Sequence, residues 1–189
     1  MAEAREDAGF RPCLFEVSFG RGDPPLEFDT GERTVAFHGR IDRVDKGPRG
    51  RFRVIDYKTG RLRGKDDDLG AGTSLQLPVY LLAASSLLSA PPVSGEARYL
   101  SVSHLDRRRK VTIHGEAWEA LCGEFAGVID VIVGGIESGL FFPFPSGPAC
   151  RNCDVAVACP TSRDRVYESK VSNDARCAGF AALRGKGAG

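Results

Sequence analysis

Residues with strand character, broken by polar positions, run over 11–20 (RPCLFEVSFG), 34–46 and 51–58, and predict strands there. The last two flank a Gly/Pro-rich turn and read as a hairpin. Between the first and second runs, the acidic RGDPPLEFDTGE predicts a loop, and RLRGKDDDLGAG after the hairpin predicts an exposed, mobile one. Residues 73–89 are expected to be helical, capped by Thr73 or Ser74, with Pro78 in the first turn and Leu75, Val79, Leu82 and Leu87 on one apolar face. EARYLSVSHL (96–105) reads as a strand, and RRRKVTI leads into another. From Glu116 to Glu137, Trp118, Leu121, Phe125, Val128 and Ile132 recur at helical spacing and predict a core stripe. This order of elements predicts an α/β fold, a central mixed β-sheet flanked by helices. Beyond residue 160 the chain is basic and contains Gly and Ala, so 161–189 is expected to be a partly disordered tail with a short helix near Phe180.

With 189 residues the chain can bury one sizeable core, and a net charge of +1 gives no global field for a polyanion. No segment has the roughly 18 unbroken apolar residues of a membrane span. The most apolar one, LQLPVYLLAASSLLSA, contains Gln, Pro and several Ser and reads as a buried helix. The start, MAEAREDAGF, lacks an apolar signal-peptide core, so no membrane role and a cytoplasmic location are expected.

The hairpin, FHGRIDRVDKGPRGRFRVIDYKTG, carries charge where a strand would bury Val or Ile. Asp42 and Asp56 both follow isoleucine, and Lys58 lies two residues further on. If Asp42 faces Asp56, the hairpin is centred on Arg49 and its connection has an odd length or a bulge. A four-residue loop over 47–50 would instead send the carboxylates to opposite faces. In the odd register their Cβ atoms lie about 5 Å apart with Lys58 on the same face. Paired carboxylates at that distance repel unless a cation lies between them, and hard oxygen donors suit Mg²⁺ or Mn²⁺. A lysine beside a metal-bound phosphate can neutralise developing charge or position a water, which suits phosphodiester hydrolysis. An exposed hairpin with solvated ion pairs is the competing reading.

GRIDRVD, then VIDYKTG, then QLPVY resembles the PD-(D/E)XK nuclease superfamily, in its RecB/AddB-like branch, over residues 12–160. The resemblance implies a restriction-endonuclease-like core within a nuclease domain spanning 11–160. Asp42 would match the aspartate of the first motif, and Asp56 and Lys58 the Asp-x-Lys signature. Asp42 and Asp56 would bind Mg²⁺, with the Tyr57 backbone carbonyl as a further ligand. Gln76 and Tyr80 would act near the DNA backbone and the site. Their spacing of four independently puts them on one helix face. Family members usually carry a helix with an acidic residue or histidine before the first strand, and only about ten residues precede RPCLFEVSFG here. The chain is therefore expected to be a fragment or a late-started product. Glu16 is expected to act in a salt bridge more than at the metal.

Six cysteines are present, and Cys150, Cys153 and Cys159 form a CxxCx5C cluster with metal-ligand spacing. Zinc and a [4Fe–4S] cluster both require four ligands. The resemblance implies an iron–sulfur cluster with a structural role, completed by a distant upstream cysteine. Cys13 is the candidate for that fourth place, with Cys177 as a substitute and Cys122 read as a buried thiol.

The basic clusters GRLRGK (60–65) and HLDRRRK (104–110) are candidate phosphate contacts, and no base-reading motif accompanies them. The expected function is a Mg²⁺-dependent deoxyribonuclease, an exonuclease by expectation, that binds DNA without sequence preference. It would work with a helicase subunit or helicase domain in double-strand-break repair and recombination. The alternatives are an inactive DNA-binding or scaffold domain with a nuclease fold, and a CRISPR-associated exonuclease.

Overall fold

The structure, a computed structural model, describes residues 9–22, 25–60, 62, 66, 68–103, 110–142, 145, 150–151, 153–171 and 173–186. The chain divides into two compact units, Met1–Gly127 and Val128–Gly189.

The first unit is built on a five-stranded mixed sheet in the order β1 (Arg11–Phe19), β4 (Gly39–Lys46), β5 (Phe52–Lys58), β6 (Gly95–Ser101), β7 (Lys110–His114). Only β5 and β6 run parallel, and helix α1 (Gln76–Leu88) makes the crossover between them. Two short strands, β2 (Leu26–Asp29) and β3 (Thr34–Phe37), pair separately. The acidic segment expected to be a loop therefore contains a strand. Its alternation buries Leu26 and Phe28 and exposes Glu27 and Asp29, four residues of pattern within turn-forming composition. The run 34–46 is likewise broken at His38, so the first arm of the hairpin is Gly39–Lys46 alone. Phe28 and Phe37 stack against Phe125 of α2 (Trp118–Glu137), with ring centroids 5.0 and 6.1 Å apart.

Strand alternation sorts the sheet into two unlike faces. On one, the register aligns Val44, Val54, Ala97 and Ile113, all at most 1% exposed, with Phe52 and Val111 beside them. Helix α1 packs on this side with Leu77, Tyr80, Leu81 and Ala84 buried. That face differs from the expected one: Leu87 is exposed and Leu75, Val79 and Leu82 are only half-buried. The buried positions 77, 80, 81 and 84 form a helical stripe of their own, turned about the axis from the one through 75, 79 and 82. Thr73 and Ser74 do not cap α1. Its N-cap is Leu75, and the Thr73 hydroxyl donates to the Gly70 carbonyl at 2.6 Å. Pro78 does lie in the first turn.

The other face carries Arg43, Asp45, Arg53, Glu96, Arg98 and Thr112, and all but Arg43 are buried. Glu96 bridges Arg53 and Arg98. Burial pushes the Glu96 carboxyl up, but Arg98 and Arg53 more than offset this and hold it below its ordinary value. The loop after β5 is less exposed than its composition suggests: Leu62 and Leu69 are 5% and 2% exposed. Asp66 accepts the Thr112 N–H of edge strand β7 at 2.8 Å.

In the second unit, Tyr167, Val171 and Cys177 form a buried cluster with Leu140 and Phe142 against it. Where a tail was expected, the chain forms α3 (Arg163–Val166), a π-turn (Tyr167–Val171) and α4 (Ala178–Lys186). No described helix is long and apolar enough to cross a membrane.

Candidate active site

The β4–β5 hairpin has the odd register that two facing carboxylates require. Arg43 pairs with Ile55, Val44 with Val54, Asp45 with Arg53 and Lys46 with Phe52. One further step in that register sets Asp42 opposite Asp56. The connection that makes this possible spans Gly47 to Arg51. The Gly47 N–H donates to the Arg51 carbonyl at 2.7 Å, and the Arg51 N–H to the Pro48 carbonyl at 3.2 Å. Arg49 and Gly50 adopt the left-handed conformation inside it, at φ 57° and 74°. This is not a simple four-residue loop.

The ladder ends at Arg43 and Ile55 because the Asp42 side chain takes over the next donor. Its Oδ2 accepts the Tyr57 N–H at 2.9 Å. A strand residue sends its N–H and C=O to the same side, so the Tyr57 carbonyl also faces β4, where Asp42 lies.

Asp56 is 4% exposed, and Lys58 Nζ lies 2.6 Å from its Oδ2. Oδ2 is buried and has no other donor among the described residues. Burial pushes the Asp56 carboxyl up; the Lys58 ammonium pulls it back, and the Asp42 charge adds to the rise. Lys58 is fixed on its other side. Its Nζ donates to Gln76 Oε1 at 2.8 Å, and Gln76 Nε2 donates to the Tyr80 hydroxyl at 2.8 Å. The first turn of α1 thus completes a continuous line from Asp56 through Lys58 and Gln76 to Tyr80. Burial raises the Tyr80 phenol, and Tyr99, whose ring lies 4.8 Å from Lys58 Nζ, is pushed up to about 12 by burial and then by Asp56.

A divalent cation fits this donor set. The register sets two carboxylates opposite each other with a backbone carbonyl beside them, and the buried Asp56 Oδ2 has only the Lys58 ammonium against it among the described residues. Among the described residues, no group of three His, Cys, Asp or Glu side chains is placed to hold a metal ion. The hairpin pair therefore has no third carboxylate among them. Glu16, in the left-handed conformation (φ 46°), makes an exposed salt bridge to Arg40 at 3.0 Å instead.

The cysteine trio is likewise not gathered: Cys150 and Cys159 are half-buried and Cys153 is exposed. Cys13 lies exposed at an irregularity of β1 between Pro12 and Leu14, Cys122 is half-buried, and Cys177 is buried in its apolar cluster. Most of the two basic clusters, 61, 63–65 and 104–109, lies outside the described residues.

Sequence reasoning missed Arg43. It grips Asp45 with two hydrogen bonds of 2.6 and 2.8 Å and donates to the Tyr57 hydroxyl at 3.1 Å. The sequence offered spacing alone: Arg43 and Asp45 are two apart in a strand, hence on one face, opposite Ile55 and Arg53, with Tyr57 two residues beyond Ile55 on the same face.

Comparison with known proteins places the chain in a family. A stretch of 94 residues is 48% identical to a subunit of the ATP-dependent helicase/deoxyribonuclease of Moorella thermoacetica, covering 47% of this chain and 8% of that protein. A stretch of 105 residues is 45% identical to the subunit of the same name from Symbiobacterium thermophilum, covering 49% of this chain and 9% of that protein. The chain therefore matches less than a tenth of the length of these relatives. It also aligns with the crystal structure of SSO0001 at a TM-score of 0.43 and 21% identity, over 84% of this chain and 65% of that one. The family model of the PD-(D/E)XK nucleases matches residues 1–160, and the chain belongs to the PD-(D/E)XK nuclease superfamily.

Proposed function

We propose that this chain is a nuclease domain that hydrolyses DNA phosphodiesters with Mg²⁺ or Mn²⁺ held by Asp42, Asp56 and the Tyr57 carbonyl. The observation that carries the reading is the buried Asp56 carboxylate opposite Asp42, with Lys58 clamped between Asp56 and Gln76. Bound there, the cation would supply Lewis acidity to a phosphoryl oxygen and lower the pKa of a water. Lys58 presents a fixed positive charge toward the phosphate or holds the attacking water, its ammonium held between the Asp56 carboxylate and the Gln76 amide oxygen. Tyr80 fixes the Gln76 amide so that its oxygen, not its nitrogen, faces Lys58.

DNA as substrate and a helicase partner rest on the names of the relatives, and exonucleolytic action on the family resemblance alone. In this reading the domain works within a helicase–nuclease in DNA repair, without base-specific contacts. An inactive scaffold with the same fold would not need the unbroken line from Asp56 to Tyr80. The deciding experiment is cleavage of single- and double-stranded DNA with Mg²⁺ and with EDTA. Cleavage is expected only with Mg²⁺, falling by about 10²-fold or more in Asp56→Ala and Lys58→Ala. DNA binding without turnover, unaffected by those substitutions, would leave the scaffold reading in place.

The same reading gives Cys150, Cys153 and Cys159 a structural [4Fe–4S] cluster rather than zinc, supported by their spacing and by the family resemblance alone. Anaerobically purified protein should then absorb in the violet, and Cys153→Ser should bleach it. A colourless protein containing stoichiometric zinc would reject the cluster.

A further inference from the structure

The site described above has a counterpart on the opposite face of the same two strands. There Asp45, 2% exposed, holds Arg43 through both carboxylate oxygens, and the third guanidinium nitrogen donates to the Tyr57 hydroxyl. Tyr57 is the residue whose backbone N–H orients Asp42. Its ring is 39% exposed, so packing alone does not fix it. The Asp45 carboxylate does. It is buried in β4, its two-pronged grip leaves the guanidinium little rotational freedom, and the hydroxyl contact transmits that restraint across to β5.

We infer that Arg43 and the Tyr57 hydroxyl are positioning residues: a clamp behind the sheet that fixes the Tyr57 peptide, and through it the Asp42 carboxylate and Tyr57 carbonyl of the cation site. This rests on the metal-binding reading above. Neither side chain touches the reacting atoms. The clamp acts at the open end of the hairpin, where the backbone ladder has stopped and the Asp42 side chain takes the Tyr57 N–H in its place. The arrangement resembles other metal sites in which partners one step removed set ligand orientation, and whose loss costs about 10- to 100-fold in metal affinity.

The test is titration of the full chain with Mn²⁺ by calorimetry, with the unfolding midpoint of each metal-free variant measured alongside. Tyr57→Phe removes one hydroxyl, and Arg43→Gln removes the link to it. Each is expected to weaken Mn²⁺ binding by about tenfold, with the midpoint of Tyr57→Phe unchanged. The double variant should be no weaker than Arg43→Gln alone, because both changes break one linkage. Arg43→Lys, which keeps the charge but cannot reach both partners, should fail to restore binding. Wild-type Mn²⁺ affinity in Tyr57→Phe and Arg43→Gln, with binding lost in Asp42→Asn, overturns the clamp and leaves the metal site standing. Additive losses in the double variant also overturn it. No Mn²⁺ binding by the wild-type chain overturns the clamp and the metal-binding reading together.

Discussion

Asp56 is the residue where stability and function oppose each other. Its carboxyl is raised by burial first, so the charged form is disfavoured in the folded chain without metal. A group whose folded pKa lies above its unfolded value stabilises the fold below the unfolded value, here near 3.8, and loses that contribution as pH rises through the folded one. At neutral pH the metal-free chain therefore bears a penalty that Asp56→Asn removes. The variant is expected to melt above wild type at pH 7, by about 2–4 °C for each kcal/mol recovered, and the gap should close as pH falls toward 4. Saturating Mg²⁺ should raise the wild-type midpoint and leave the variant's where it was. A metal-free variant that melts below wild type at pH 7 would mean that the Lys58 ion pair outweighs desolvation. These residues were legible in sequence because charge in a strand is conspicuous. Arg43 was not, because the neighbouring acid already gives an arginine there an ordinary surface role.

At the scale of elements, the hairpin and its parity followed from one demand: two carboxylates had to face each other, and only an odd connection allows that. The structure meets it with left-handed Arg49 and Gly50. Helix α1 was visible, but its buried face was not. Leucines at 75, 82 and 87 suggested one stripe, whereas the buried one runs through Leu77, Tyr80, Leu81 and Ala84. Strand β2 was hidden because four alternating residues carry little signal inside a Gly/Pro-rich segment. One packing constraint belongs to this scale. Gly95 opens β6 directly opposite Phe52, and a Cβ there would lie 2.2 Å from the Phe52 ring. Gly95→Ala is expected to destabilise the chain by about 1–3 kcal/mol in denaturant unfolding, with much of the loss recovered when Phe52→Leu is added. An unchanged midpoint would show that the ring has room to move.

For the molecule as a whole, the sheet divides labour between its faces. The α1 side supplies the apolar core and carries Asp42, Asp56 and Lys58, the residues of the candidate site. The reverse side supplies a row of buried charges, Asp45, Arg53, Glu96 and Arg98, in which Glu96 bridges the two arginines. Such a network contributes more to fixing strand register than to net stability, since desolvation offsets much of its attraction. Register in turn decides whether Asp42 and Asp56 meet. The alternating Arg53, Glu96 and Arg98 were readable individually, but their meeting depended on the parallel pairing of β5 with β6, which no local pattern encodes.

Asp42 has a second duty as the acceptor that closes the hairpin where the backbone ladder stops. This bears on how a substrate-bound form should be trapped. Truncating Asp42 to alanine would silence chemistry and also leave the Tyr57 amide at the lip of the site without its acceptor. Asparagine at 42 retains an oxygen for that amide while discarding the charge, and alanine at Lys58 does not touch the closure. On the proposed reading, a silent variant built either way keeps the hairpin closed, so its captured complex would portray an intact site rather than a frayed one.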